Sequence, residues 1–187
     1  MAGYCDDIEK QSSNAAMKDL ARKLKEYGLY VQKYLDYKAG AAVPALDVSG
    51  VTAELLDKYK GFRTDDAEGL TFNAFSFMFR EESALRFKFK LSDGYSIDEY
   101  SFTVNGKTVE PYFNGSQYVI EVGGIVAKEL GTEYVVEVTG PGKSSQTLSY
   151  SGISYARALI QSGSSEAARN AARAMYLYYE AAAAYFN

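Results

Sequence analysis

The sequence predicts an α+β chain, an antiparallel β-sandwich with a helical hairpin on either side of it. Three observations carry that prediction. Apolar and aromatic residues recur at helical spacing in "LKEYGLYVQKYLDY" (residues 24–37) and again in "YLYYEAAAAYFN" (176–187). Between them, from about Leu70, the apolar period shortens to two, as in strands with one buried face. The two ends of the chain also align with each other without a gap.

That alignment lays residues 4–36 on 155–187 at an offset of 151. Identities fall at Tyr4/Tyr155, Ser13/Ser164, Ala16/Ala167, Ala21/Ala172, Arg22/Arg173, Tyr27/Tyr178 and Tyr34/Tyr185. Leu20, Leu24, Tyr27, Val31 and Tyr34 step by four and three, and so do their counterparts Ala171, Met175, Tyr178, Ala182 and Tyr185. Such steps put five side chains on one stripe of a helix, which predicts a core face rather than a ligand platform. Tyr4 with Ile8, and Tyr155 with Leu159, suggest a shorter first helix in each copy. "KQSSN" and "QSGSSE" supply the turns, with Ser13 and Ser164 or Ser165 as expected N-caps. Gly28, inside a helix, costs about 1 kcal/mol against alanine, which predicts a close contact there.

After Tyr37, "KAGAAVPALDVSG" reads as a small-residue linker containing Pro44, followed by a short helix "AELLDKYKGF" capped by Thr52 and ended by Gly61. In "FNAFSFMFR", Phe75, Phe77 and Phe79 alternate with smaller or polar residues. In "ALRFKFKL", Leu85, Phe87, Phe89 and Leu91 alternate with Arg86, Lys88 and Lys90. Asn105-Gly106 within "EYSFTVNGKTVE" is a hairpin signal, because both residues accept the positive φ of a tight turn. "QYVIEV", "EYVVEV" and "QTLSYS" complete about seven strands. The run Leu-Gly-Thr-Glu-Tyr entering a strand is similar to the corner of fibronectin type III domains, with Tyr134 as the tyrosine-corner residue. The expected segments are a first hairpin over 1–40, a linker over 41–69, an Ig/fibronectin III-like sandwich over 70–152 and a second hairpin over 153–187. The hairpins either pair into a four-helix bundle or each serve a separate β domain. The first is favoured because an orphan apolar stripe would face water.

Leu24, Tyr27, Gly28, Gln32, Tyr34 and Leu35 form a pattern that resembles a recurrent helical motif in large surface proteins of Gram-positive gut bacteria. In that group the helical pair follows an Ig-like β domain whose first strands are similar to "FNAFSFMFREESALRFKFKL" and whose later part is similar to "YVIEVGGIVAKELGTEYVVEV". The second copy departs from the motif, with Tyr179 in place of the glycine and Ala183 in place of the glutamine. The resemblance implies a non-catalytic module of an extracellular, multidomain protein.

Composition narrows the function further. The 187 residues contain no histidine and no tryptophan, and Cys5 is the single cysteine. The chain therefore lacks the commonest general base and zinc ligand, and it cannot form an internal disulfide or a thiolate cluster. A net charge of -4 argues against a nucleic-acid binder. No apolar run reaches the roughly 18–20 residues that cross a bilayer, so membrane insertion is not expected. A mean hydropathy of -0.24 fits a folded, water-soluble chain, either cytoplasmic or a piece of a longer secreted protein. Asp65, Asp66, Glu68, Asp93, Asp98 and Glu99 lie in "TDDAEG" and "SDGYSIDEY", where turn geometry explains them. Arg86, Lys88 and Lys90 share one sheet face, either a solvated surface paired with acids or a docking face for an acidic partner. The expected function is that of a spacer or adhesion module without catalysis or cofactor, meeting a cell-surface protein or glycan. A carbohydrate-binding module using exposed tyrosines is the first alternative, and a glycoside hydrolase using a carboxylate pair is the second.

Overall fold

The computed structural model describes residues 2–37, 47–79 and 83–186. Among them are four α-helices and nine strands in two antiparallel sheets, an α+β arrangement. The chain divides into two compact units: Met1–Tyr59, Ala127–Gly131 and Ala156–Asn187 in one, Lys60–Val126 and Thr132–Tyr155 in the other.

The helical unit is built on α1 (Ala2–Gln11), α2 (Ala15–Tyr34) and α4 (Glu166–Phe186), together with most of α3 (Gly152–Ser162). Each long helix begins on a side-chain cap. The Asn14 carboxamide oxygen accepts a hydrogen bond from the Met17 amide at 3.1 Å, and the Ser165 hydroxyl accepts one from the Ala168 amide at 3.1 Å. The first cap is therefore Asn14 rather than the expected Ser13, because Asn14 holds the extended backbone of an N-cap. α1 packs on α2 and α2 packs on α4, whereas α3 has no comparable packing along α4. Buried Ala168, Ala171, Ala172, Ala174, Ala181 and Ala182 keep the α4 surface shallow.

Gly28 departs from expectation: a Cβ built there meets nothing within 4 Å. With no close contact to protect, only the helix penalty of glycine remains. Gly28→Ala is expected to stabilise the protein by up to about 1 kcal/mol. A higher thermal midpoint would confirm this, and a lower one would show that an approach at this position matters.

The segment expected to form a short helix after Thr52 is a turn followed by a single 3₁₀ turn, Asp57–Tyr59. Thr52 Oγ1 accepts from the Leu55 amide at 3.3 Å, so the cap is present without the α-helix. So short a segment nucleates poorly on its own. It is held instead by the fully buried Leu56 and by Arg157, whose guanidinium donates to Asp57 at 2.9 and 2.6 Å. This part of the expected linker therefore belongs to the helical unit. Pro44 and the rest of residues 38–46 lie outside the described residues.

In the β unit one sheet runs β1 (Phe62–Arg63), β9 (Ser145–Tyr150), β8 (Tyr134–Thr139), β4 (Ser101–Val104) and β5 (Lys107–Thr108). The other runs β2 (Leu70–Met78), β3 (Ala84–Leu91), β7 (Tyr118–Val122) and β6 (Tyr112–Phe113). The unit starts at Lys60 rather than at residue 70, because β1 pairs with β9. Rings join the sheets: Phe89 lies 5.2 Å from Phe102, and Phe87 lies 6.2 Å from Tyr150. Val136, Val138, Leu148, Phe77, Leu85 and Ile120 complete the interior.

Strand β2 shows how register serves that interior. Leu70 and Phe72 are buried, and so is Phe77, although these positions differ in parity. A bulge between Phe72 and Ala74 inserts one residue, which returns Phe75 and Phe77 to the inner face. The Asn105-Gly106 turn forms as predicted, with φ of 50° and 74°, between Val104 and Lys107. Gly61 has a stricter role than ending a helix. A Cβ there would stand 2.3 Å from the Tyr150 ring and 2.6 Å from the Ser149 carbonyl, so only glycine lets these groups meet.

Candidate functional site

The tyrosine stripes lie in the packing between α2 and α4. Tyr27 and Tyr178 stack at 5.3 Å with an interplanar angle of 16°, and Tyr27 also packs against a cluster of Tyr30, Val48, Ala171 and Ala174. Ala171, Met175 and Ala182 are fully buried, while Tyr178 and Tyr185 are half-buried. On α2 the five expected positions, Leu20, Leu24, Tyr27, Val31 and Tyr34, are all half-buried. The buried residues there are Ala21, Glu26 and Tyr30. Glu26 is the one that hydropathy could not flag; its Oε2 has no hydrogen-bond partner, and Lys23 Nζ stands 3.6 Å away. Burial pushes the Tyr178 phenol above its usual range. Tyr179 is pushed up to about 12 by burial and by its hydroxyl contact with Tyr59 at 3.2 Å. Cys5, the single cysteine, is buried in α1, and burial raises its thiol pKa.

Tyr134 opens β8, half-buried, and lines a pocket of about 370 Å³ with Val104, Val109 and Val122. A hydroxyl-to-backbone anchor in this unit is made by Tyr100, which donates to the Glu68 carbonyl at 2.6 Å. The Tyr100 ring also lies over Gly140, where a Cβ would come within 2.7 Å of it.

Three of the six loop acids hold local structure through hydrogen bonds. Asp66 accepts from Arg63 and from the buried Gln146 amide, the latter at 2.9 Å. Glu68 accepts from the Tyr95 hydroxyl at 2.9 Å, and Glu99 accepts from the Ser96 amide at 2.6 Å in a capping box. Asp65 and Asp98 are exposed, and no cluster of three or more metal-ligating side chains forms among the described residues.

Arg86, Lys88 and Lys90 project from the face of β3 opposite Phe87 and Phe89, as alternation requires. They do not act as one group. Arg86 is paired with Glu121 on β7, whereas Lys88 stands in register with Ala74 and Val119, and Lys90 with Thr71.

Lys90 also forms one wall of a groove of about 380 Å³ at the end of the four-stranded sheet. Two turns enclose it. In the first, Gly94 adopts φ 91° and Tyr95 lies flat over Gly69, whose Cβ would come within 2.5 Å of the ring. The Glu68 carboxylate accepting the Tyr95 hydroxyl fixes the ring's far end and raises the phenol's pKa. In the second, Asn114 Oδ1 accepts three hydrogen bonds at 3.1 Å, from the Ser116 amide and hydroxyl and the Gln117 amide. That turn presents Phe113, 58% exposed, edge-on to Tyr118, which itself stacks on Phe89 at 5.4 Å. Tyr118, and Phe113 through it, therefore rest on the buried Phe89 of the β unit. Sequence reading placed Asp93 and Lys90 in separate features and did not single out Phe113 or Gln117.

No helix among the described residues is long and apolar enough to cross a membrane. Compared with family models, with curated proteins and with solved structures, the chain matches none.

Proposed function

We propose that this chain is a non-catalytic interaction module of an extracellular bacterial surface protein, an Ig-like sandwich carried with two copies of one helical hairpin. The observation that carries the non-catalytic reading is the engagement of Asp66, Glu68 and Glu99 in turn and cap hydrogen bonds. A glycosidase needs two carboxylates aimed at one bond across a cleft. The groove at the end of the sheet is lined by a single acid, Asp93. The duplication is supported by the caps and the ring stack: the offset of 151 that relates the two ends carries Asn14 onto Ser165 and Tyr27 onto Tyr178. Equivalent residues that touch each other are what a two-fold pairing of like elements produces.

The reading is tested by incubating the chain with a panel of aryl glycosides and with surface-immobilised mucin glycoprotein at physiological ionic strength. No turnover above buffer is expected, with retention on the mucin surface that weakens when Lys88→Glu and Lys90→Glu are combined. Turnover that disappears in Asp66→Asn or Glu99→Gln would overturn the non-catalytic reading.

A further inference from the structure

We infer that the groove between the Ser92–Tyr95 and Asn114–Gln117 turns is a binding site for a neutral carbohydrate chain. This deepens the interaction-module reading by naming the class of ligand and the place that holds it. The first argument is preorganisation. Tyr95 is held at both ends, by Gly69 beneath its ring and by the Glu68 carboxylate at its hydroxyl, and Phe113 is carried on a turn closed by three hydrogen bonds. Rings fixed before a ligand arrives lose little conformational freedom on binding.

The second argument is the set of unengaged polar groups. Lys90, Asp93 and the Gln117 side chain make no hydrogen bond or ion pair among the described residues, although all three line the groove. Lys90 supplies donors, Asp93 supplies acceptors and the Gln117 carboxamide supplies both. Those are the partners that vicinal hydroxyls require, since each hydroxyl donates once and accepts as well.

The third argument is elimination by charge and polarity. One cation and one carboxylate in the same groove cancel, so a polyphosphate would meet Asp93 and a polyamine would meet Lys90. Polar groups dominate the lining, which disfavours an acyl chain. What remains attractive is a neutral molecule with an apolar face for Phe113 and Tyr118 and a rim of hydroxyls for the polar groups. A pyranose ring has that form. A volume of about 380 Å³ lies near the small end of ligand sites, suited to a short stretch of such a chain.

The test is a titration of the full chain, followed by amide NMR, with neutral hexasaccharides built from β-linked glucose, N-acetylglucosamine, galactose and xylose. At least one is expected to bind saturably, with shifts concentrated at residues 90–95 and 113–118. Phe113→Ala is expected to weaken it at least about tenfold, and Gln117→Ala by several-fold. Phe113 is exposed, so its removal should leave the spectrum of the rest of the chain unchanged, while Lys107→Ala on β5 serves as the control with unaltered binding. Absence of saturable binding for all four sugars would overturn the site, as would binding that Phe113→Ala and Gln117→Ala leave unchanged. Chromatography of each sugar after incubation separates this inference from the reading on which it rests. Binding with cleavage would keep the groove and refute the non-catalytic module, and a failure to bind would refute the groove alone.

Discussion

Phe89→Ala is expected to lower the stability of the protein by about 3–5 kcal/mol, the range for deleting a fully buried aromatic ring. Phe89 is 0% exposed, with Phe72 and Phe102 each at 5.2 Å and Tyr118 at 5.4 Å. Its neighbours come from β2, β4 and β7, so the cavity left behind would be lined by three strands of two sheets and could not close by one side chain shifting. A urea denaturation midpoint reads the effect directly. Lys88→Ala, one residue earlier on the opposite face, should stay within about 0.5 kcal/mol of the parent. A loss below 1 kcal/mol for Phe89→Ala would mean that this ring does not join the sheets. Because Tyr118 stacks on Phe89 and lines the groove, the same substitution should also weaken any ligand held there.

Tyr178→Ala and Tyr27→Ala are each expected to cost about 2–4 kcal/mol, somewhat below the value for a fully enclosed ring because both side chains are half-buried. The two losses should not add. Their rings stack at 5.3 Å and 16°, so the double variant should recover a coupling of about 0.5–1.5 kcal/mol. Denaturation midpoints of the four proteins in the cycle supply the number. Strict additivity would separate the two tyrosines energetically and remove the main support for pairing of duplicated hairpins. Midpoints close to that of the parent for both single variants would return the stripes to the list of available binding surfaces.

Part of this architecture is legible in the sequence because it depends on near neighbours. The predicted strand "ALRFKFKL" coincides with β3, and alternation places Phe87 and Phe89 inward. Asn105-Gly106 marks its hairpin because few other pairs accept two positive φ angles. The long helices follow the four-and-three spacing, and their boundaries fall within a residue or two of the turns that the polar segments mark. Strands β1 and β6 escaped notice because two residues carry no periodicity. The expected helix after Thr52 failed because the pull of buried Leu56 and the Arg157–Asp57 pair outweighs weak local propensity.

The groove was illegible for a different reason. Lys90 and Asp93 lie at and just after the end of β3, Phe113 and Gln117 on either side of the β6–β7 turn, with β4 and β5 between the two pairs in the chain, and only the β3–β7–β6 pairing brings them side by side. Gly61 and Gly69 illustrate the same limit, since their need to be glycine comes from Tyr150 and Tyr95, whose approach no local pattern records. By itself, then, the sequence determined where helices and strands run and which faces they bury, because periodicity and turn chemistry act over a few residues. Only the tertiary structure decided the bulged register of β2, the stacking of Tyr27 on Tyr178, and the meeting of two distant turns, because those depend on pairings between residues far apart in the chain.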